Sequence, residues 1–258
     1  MKTARHPRHI GSKWRKNEAL VQNRELRAHL PESRRFSREN LLHMLMKFKM
    51  VYVKPVNGTW GNGVMRVELK PSVRGGMYQY QLDKTIRTFY NFDELHASIR
   101  KHKLKGRYLV QQGIDLLKYN NSRFDLRVMV QRSPQKTWKT TGIIGRLAHP
   151  KKIVTNYHSD GKLVPADKLL SPHLKEQRIK PYLGMLQEFG EDIANHLKKS
   201  FPGIREIGVD VAIDQKLRPW ILEVNTSPDP YIFRKLKDKS VFRTVMQYAR
   251  ASGKFKRK

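Results

Sequence analysis

The sequence predicts an α+β fold, and three observations support this. Segments with apolar residues at helical spacing are mixed with segments in which apolar and polar residues alternate, as in β-strands. Most strand-like segments are separated by short turns, which favours antiparallel pairing, and we find neither a βαβ rhythm nor an internal repeat. With 258 residues, of which 38% are hydrophobic, the chain can bury the core of one large domain or two small ones.

The first elements lie in a basic segment and in the glycine-rich region that follows it. Residues 1–35 have few apolar anchors, so we expect a frayed helix or a docked arm there. Ser37 caps a predicted short helix with Leu41 and Leu45 on its apolar side. Two strands, VYVKPV and GVMRVEL, then flank a glycine-rich loop over 57–63, and further strands (MYQYQLD, KTIRTFY) precede a helix over 93–104.

The second half of the chain contains most of the predicted strands. YLVQQGI is expected to be a buried strand, FDLRVMVQR and KTTGIIGRLA pair around the turn Ser133-Pro134, and KIVTNY follows. A helical region is expected from Ser171-Pro172 to about Lys199. IGVDVAID and WILEVN form the last predicted hairpin.

Charge and cysteine content limit the possible functions. The chain has 53 Lys+Arg, 22 Asp+Glu and no cysteine, so its net charge is +31. Disulfides, thiolate catalysis and Cys-ligated zinc are excluded. Residues 1–53 hold 13 basic and 4 acidic side chains and residues 234–258 hold 10 and 1, so we expect a basic arm (1–36) and a basic tail (236–258) around a folded domain (37–235).

Such a charge attracts polyanions of any kind, whether nucleic acid, anionic polymer or nucleotide. No recognition-helix, zinc-finger or RNA-binding signature indicates specific binding to nucleic acid. No apolar run is long enough to span a membrane, and the basic N-terminus lacks the apolar stretch of a signal peptide. We therefore expect a cytoplasmic protein.

The last hairpin carries the most informative polar residues. With its turn near Lys216 and Leu217, Asp210 lies opposite Glu223, and Asn225 shares their face. The apolar residues expected on the other face are Val209, Val211, Ile213, Leu222 and Val224. Two carboxylates and a carboxamide oxygen suit Mg²⁺ or Mn²⁺. A solvated hairpin face, or a neighbouring Lys or Arg that neutralises the pair, is the alternative. Asp214 is expected to be structural.

The glycine-rich loop is a second candidate element. Gly58, Gly61 and Gly63 would let backbone N–H groups approach a phosphate, with Lys54 as a cation at the entrance and Trp60 at the tip. The loop joins two strands, so it is neither a Walker loop nor a Rossmann turn, both of which require a following helix. An ordinary flexible hairpin is the alternative.

Together these segments resemble the ATP-grasp superfamily and, within it, the YheC/YheD family of endospore coat-associated proteins. The resemblance covers residues 37–235 and rests on VYVKPVNGTWGNGV, YLVQQGIDL, RFDLRVMVQ, GIIGRLA, IVTNY and GVDVAID followed by PWILEVNTSPDP. It implies ATP held between a glycine-loop subdomain (about 50–110) and a metal-site subdomain (about 111–235). A full N-terminal domain preceding the ATP-grasp fold is not expected.

The resemblance also implies roles for individual residues. The phosphates would be contacted by Lys54 and covered by the loop Asn57–Gly63, the adenine would lie beside the hinge, and arginines would face the phosphates or an acyl phosphate. The hinge positions are Gln112, Gly113 and Ile114; Asp125 and Asn156 are further contacts near the nucleotide; the arginines are Arg127 and Arg146; the metal ligands are Asp210, Glu223 and Asn225. Gln112 and Asn62 depart from the glutamate and lysine of many relatives.

Two functions follow from the resemblance. The first is an ATP- and Mg²⁺-dependent carboxylate-amine (or similar) ligase, acting through an acyl phosphate on an unidentified carboxylate and nucleophile. The second is a non-catalytic spore-coat component on an ATP-grasp scaffold, whose basic ends hold anionic polymer or coat proteins. The histidines have no metal-ligand spacing and are not assigned to a site.

Overall fold

The computed structural model describes residues 6–58, 61–72, 75–149, 153 and 161–255. These residues form helices mixed with antiparallel sheets, and the predicted α+β class is confirmed. The helices are α1 (Lys13–Val21), α2 (Arg24–Ala28), α3 (Arg38–Phe48), α4 (Phe92–His102), α5 (Ala166–Leu170), α6 (Glu176–Ser200) and α7 (Lys239–Ala251), with a 3-10 helix over Tyr231–Lys235.

The first sheet has six strands in the order β1-β6-β2-β3-β4-β5, and every neighbouring pair is antiparallel. These strands are β1 (Ser33–Arg35), β2 (Met50–Pro55), β3 (Met65–Ser72), β4 (Gly75–Leu82), β5 (Thr85–Phe89) and β6 (Tyr108–Gln112). Helices α3 and α4 pack on it through a buried apolar cluster that includes Leu45, Val53 and Ile99. Ser37 caps α3 by accepting a hydrogen bond from Asn40 N, as predicted.

The second sheet runs in the order β10-β9-β8-β11-β12, with β7 paired to β8. Its strands are β7 (Lys118–Tyr119), β8 (Ser122–Arg132), β9 (Trp138–Leu147), β10 (Lys162–Val164), β11 (Glu206–Ile213) and β12 (Pro219–Asn225). One face packs against α1, α2, α5 and α6 in the largest apolar cluster. The 3-10 helix and α7 cover part of the other face through Phe233 and Val245. The charged residues of the candidate site lie on the remainder of that face.

The N-terminal segment packs on both halves of the molecule. Ser12 caps α1, which buries Ala19 and Leu20 against the second sheet's core. The main-chain N–H of Lys13 donates to Val56 O at 3.0 Å, beside the glycine loop. The N–H of Ile10 donates to Thr226 Oγ1 at 2.8 Å, just beyond β12. Residues 10–20 therefore connect the two sheets at the mouth of the cleft between them.

Three points of the structure bear on the predicted elements. The predicted strand KIVTNY lies outside the described residues except for Ile153. Helix α6 begins at Glu176, later than predicted, because residues 171–175 form a turn after α5. Across the described ranges, no helix combines the length and the apolar character that a membrane span requires.

Candidate functional site

Charged side chains from four neighbouring strands meet on one face of the second sheet. The strand register pairs Arg146 of β9 with Asp125 of β8, Arg127 of β8 with Asp210 of β11, and Asp210 with Glu223 of β12. Residues two apart on a strand share a face, so all five side chains point toward the cleft. Basic and acidic groups alternate across the sheet, and like charges are kept apart except at Asp210 and Glu223.

Asp210 is the centre of this network. Arg127 Nε donates to its Oδ1 at 2.5 Å, and Arg146 Nη2 lies 2.9 Å from its Oδ2. Arg146 also forms a bidentate salt bridge with Asp125, in which Nε donates to Oδ1 at 2.7 Å and Nη2 donates to Oδ2 at 2.6 Å. Burial would raise the pKa of Asp210, but the two guanidiniums outweigh it and hold the pKa below its usual value. Asp210 is therefore ionised throughout the neutral range.

The register predicted for the last hairpin is confirmed, because Asp210 pairs with Glu223. One predicted neighbour is wrong: Leu222 does not join the core face. A β-bulge between Asp210 and Val211 pairs Val211 with Ile221, so Ile221 packs into the core in its place. Leu222 instead lies near Ala212 on the cleft side. Asp214 is structural, since it accepts hydrogen bonds from the turn and from Trp220 Nε1.

Glu223 and Asn225 extend the acidic end of the network. With its amide oriented to satisfy both groups, the Asn225 nitrogen donates to Glu223 Oε1 at 3.3 Å and its oxygen accepts from Arg127 Nη2 at 3.2 Å. Carboxylate and carboxamide oxygens are the donors that Mg²⁺ and Mn²⁺ favour, so this set fits such an ion chemically. Within the described part of the chain, no further His, Cys, Asp or Glu completes a cluster of three with these carboxylates.

Cationic partners also neutralise the acidic pair, as the sequence left open. Lys13 Nζ lies 3.0 Å from Glu223 Oε1. Lys54, on β2, donates to Gln111 Oε1 at 2.6 Å and to Leu222 O at 3.3 Å. Burial lowers the pKa of Lys54 to about 8, and Glu223 partly opposes this. Through its hydrogen bond to Leu222 O, Lys54 of the first sheet contacts the β11–β12 hairpin of the second sheet.

A cavity of about 210 Å³ separates Lys54 from the charged network. Gly58 and Gly61 of the glycine-rich loop line it, together with Asn62, whereas Asn57 and Gly63 lie outside its wall. Trp60 falls outside the described residues. The cavity therefore has basic side chains on both sides and glycine backbone along one edge, an arrangement that accommodates phosphate groups.

A second cavity, of about 140 Å³, shares part of its wall with the first. Its walls combine aliphatic residues with polar groups shared with the first cavity. The aliphatic residues are Val64, Ile114, Leu116, Ile153 and Leu222. Gln112 also lines it, and its side-chain oxygen accepts from Glu32 N at 3.2 Å. The size and polarity suit a planar heterocycle with a few hydrogen-bonding edges.

Gly113, also singled out from the sequence, is not part of the cavity wall. Gly113 lies behind it, where its N–H donates to Met50 O at 3.0 Å. A Cβ on Gly113 would lie 2.8 Å from the main-chain oxygen of Met50, which cannot move aside as a side chain could, so glycine is required here for close packing. Asn156 lies outside the described residues.

Sequence reasoning missed four residues of the site. Lys13 and Lys16 come from α1, in a segment whose composition indicated only a basic arm. Gln111 is the neighbour of a predicted hinge residue and holds Lys54. Gly208, on β11, leaves room for Arg127, since a Cβ there would lie 3.0 Å from Arg127 Cδ. Strand alternation could have identified Gly208, which shares the face of Asp210.

The two sheets and the cleft between them define the ATP-grasp class of fold. One solved structure that shares this fold is the C-terminal domain of Pby1 from K. lactis, described as an ATP-grasp enzyme interacting with the mRNA decapping enzyme Dcp2; its TM-score is 0.53 at 17% identity, over 93% of this chain and 71% of that one. N5-carboxyaminoimidazole synthetase from Staphylococcus aureus complexed with ADP has a TM-score of 0.54 at 11% identity, over 95% of this chain and 52% of that one. The ADP complex of purK, an N5-carboxyaminoimidazole ribonucleotide synthetase, has a TM-score of 0.53 at 14% identity, over 93% of this chain and 51% of that one.

The chain belongs to the YheC/D-like ATP-grasp family, which matches residues 5–251 and confirms the resemblance noted in the sequence. Two curated relatives come from Bacillus subtilis (strain 168). Endospore coat-associated protein YheD is 26% identical over 229 residues, covering 86% of this chain and 49% of the relative. Endospore coat-associated protein YheC is 24% identical over 222 residues, covering 86% and 61%. The chain thus spans about half to three-fifths of the relatives' length.

Proposed function

We propose that the chain binds ATP with Mg²⁺ or Mn²⁺ and acts as an ATP-dependent ligase that joins a carboxylate to an amine or similar nucleophile. One observation carries the proposal. Lys54 from the first sheet faces a network of Arg127, Arg146, Asp210 and Glu223 on the second, across a cavity edged by glycine backbone. Membership of an ATP-grasp family supports the same function.

In this proposal one cavity binds the adenine of ATP and the other binds its phosphates. The aliphatic slot beside Gln112 and Ile114 holds the adenine, and Asp125 and Asn156 contribute polar contacts near the nucleotide. Gly58 and Gly61 bring backbone N–H groups to the phosphates, and Lys54 adds a positive charge. Asp210, Glu223 and Asn225 would hold the metal ion, which would draw charge from the phosphate oxygens when bound.

The protein's part in the reaction is positioning and charge neutralisation. A substrate carboxylate oxygen attacks the γ-phosphorus, the bond to the β–γ bridging oxygen breaks, and ADP leaves. The nucleophile then attacks the acyl carbon, inorganic phosphate leaves, and the nucleophile's proton passes to solvent. Arg127 and Arg146 face the transferred group and offset its charge. Asp210 and Asp125 fix the planes of these guanidiniums, so that less ordering is needed during the reaction.

Calorimetric titration with Mg-ATP at about 0.15 M salt tests the proposal, since salt screens non-specific attraction to the basic chain. Lys54→Ala should weaken binding by about 10- to 100-fold, because a charge-assisted contact contributes about 1.5–3 kcal/mol. Glu223→Ala should remove the dependence of binding on Mg²⁺. Matched controls are Lys84→Ala and Glu94→Ala, exposed positions in the β4–β5 turn and on α4.

The proposal fails if wild-type binding is independent of Mg²⁺ and unchanged in both site variants. ATP turnover that persists in Glu223→Ala would likewise contradict the metal-site assignment. If binding follows the expected pattern, the search for the carboxylate substrate can use ADP release as its signal.

A second candidate is a non-catalytic spore-coat protein that holds anionic polymer or coat proteins. The names of the two curated relatives, both described as endospore coat-associated, favour it, as does the surplus of basic residues at both ends. Truncating the ends would not test it cleanly, because α1 and α7 both bury apolar side chains. Substitutions of exposed basic residues on the ordered helices are the better test.

A further inference from the structure

Two lysines on one side of α1 enter the candidate site from a segment to which the proposed function assigns nothing. Lys13 and Lys16 lie one turn apart. The Lys13 side chain is 11% exposed and Lys16 is 4% exposed, although lysine is seldom buried without a partner or a role. Both line a small cavity of about 30 Å³ that also includes Lys54 and Glu223. The helix therefore directs these two lysines inward, whereas Arg15 is exposed.

Lys13 joins the two halves of the site directly. Its Nζ donates to Gly58 O in the glycine-rich loop at 2.6 Å and lies 3.0 Å from Glu223 Oε1 on the hairpin. Its main-chain N–H donates to Val56 O just before the loop. A single residue thus contacts both the edge that would cover the phosphates and a carboxylate that would hold the metal.

The charge of the cleft depends on this helix. Among the described residues, the three cavities are lined by five basic and four acidic side chains, a balance of +1. The basic residues are Lys13, Lys16, Lys54, Arg127 and Arg146; the acidic ones are Asp125, Asp210, Glu223 and Asp229. Without the two α1 lysines the balance would be −1, which would oppose the binding of a phosphate-rich anion.

The glycine-rich loop itself provides no such charge, because residues 56–64 contain no lysine or arginine. We propose that α1 is part of the nucleotide site and that Lys13 is its second phosphate-binding lysine, with Lys16 adding positive charge behind it. This inference rests on the proposed ATP binding. On binding, the Lys13 ammonium exchanges Glu223 for phosphate oxygens while its main chain stays fixed at Val56.

Calorimetry on the full chain at about 0.15 M salt tests the proposal, using ATP with and without Mg²⁺. Lys13→Met keeps the aliphatic chain and removes the charge, so affinity should fall by about 10- to 100-fold for both forms of ATP. Lys13→Arg keeps the charge and should retain most of the affinity. Arg15→Gln removes one charge from the exposed side of the same helix and should bind like wild type.

Thermal unfolding without nucleotide checks that Lys13→Met folds, and Lys13→Arg serves as the second variant if it does not. The proposal is overturned if Lys13→Met binds ATP as well as wild type does. It is also overturned if that variant binds Mg-ATP more tightly, since Lys13 would then only compete with the metal for Glu223. Failure of wild type to bind ATP would instead refute the proposed function, and this inference with it.

Discussion

Lys16 is a single residue of the candidate site whose buried charge lowers the stability of the folded protein. It is 4% exposed, near Glu223 and Asp210. Burial lowers its pKa from 10.5 to about 8, and the neighbouring carboxylates only partly offset this. At neutral pH the side chain is charged in both the folded and the unfolded protein, so the folded state bears the full cost of burying the charge. An apolar residue would pack here without that cost.

We therefore expect Lys16→Met to raise the free energy of unfolding by about 1–3 kcal/mol near neutral pH. The folded pKa lies below the unfolded one, so the unfolded wild type binds more protons between pH 8 and 10.5, and wild-type stability rises with pH there. The advantage of the variant should shrink across that window. Urea unfolding at a series of pH values measures both effects. An advantage that is absent, or constant with pH, would contradict this account.

At the scale of elements, the hairpin β11–β12 was the most predictable part of the site. Strand alternation and a short turn determine which residues pair, so Asp210 and Glu223 could be placed opposite each other from sequence. The bulge was not predictable, because one extra residue in a strand leaves no clear signal in the amino-acid composition. Its consequence is that Leu222 lies on the cleft side and not in the core. The arginines on β8 and β9 became neighbours of Asp210 only through long-range strand pairing.

Gly208 on β11 leaves room for the Arg127 side chain of the neighbouring strand β8. A Cβ there would lie 2.8 Å from Pro228 Cβ and 3.0 Å from Arg127 Cδ, closer than side chains normally approach. We expect Gly208→Ala to push Arg127 away from Asp210, to destabilise the fold by about 1–3 kcal/mol and to weaken Mg-ATP binding. Chemical denaturation and calorimetry measure the two effects.

Gly184→Ala in α6 provides the matched control, because its added Cβ would meet nothing within 4 Å. That variant should stabilise the helix by about 0.5–1 kcal/mol and leave nucleotide binding unchanged. If Gly208→Ala behaves like Gly184→Ala, the glycine is not needed to accommodate Arg127.

At the scale of the whole molecule, the fold class and the order of the segments could be predicted, but the contribution of α1 could not. Composition marked residues 1–36 as basic and gave no register for their contacts. Lys13 reaches Glu223 across more than two hundred positions, and such a contact depends on the packing of α1 against α6 and β12. Helix α1 brings Lys13 and Lys16 into the site only when both sheets are packed around it.

The overall charge of +31 leads to a last prediction, which separates the two proposed functions. Four arginines on the ordered helices α2 and α7 are exposed: Arg24, Arg27, Arg243 and Arg250. Replacing all four by glutamine lowers the net charge to +27 without touching the cleft. Binding to poly-L-glutamate should weaken at about 0.05 M salt and be largely lost for wild type and variant at about 0.3 M, because exposed charges are screened.

Mg-ATP binding by the same variant should match wild type at both salt concentrations, since the cleft cations are buried or half-buried and are screened less than exposed charges. Fluorescence anisotropy with labelled polymer and calorimetry with Mg-ATP measure the two activities on one preparation. Unchanged polymer binding by the variant would show that these helices are not the polymer surface and would count against the coat-protein role. A parallel loss of Mg-ATP binding would mean that nucleotide affinity depends on the general field of the protein, and would count against a built nucleotide site.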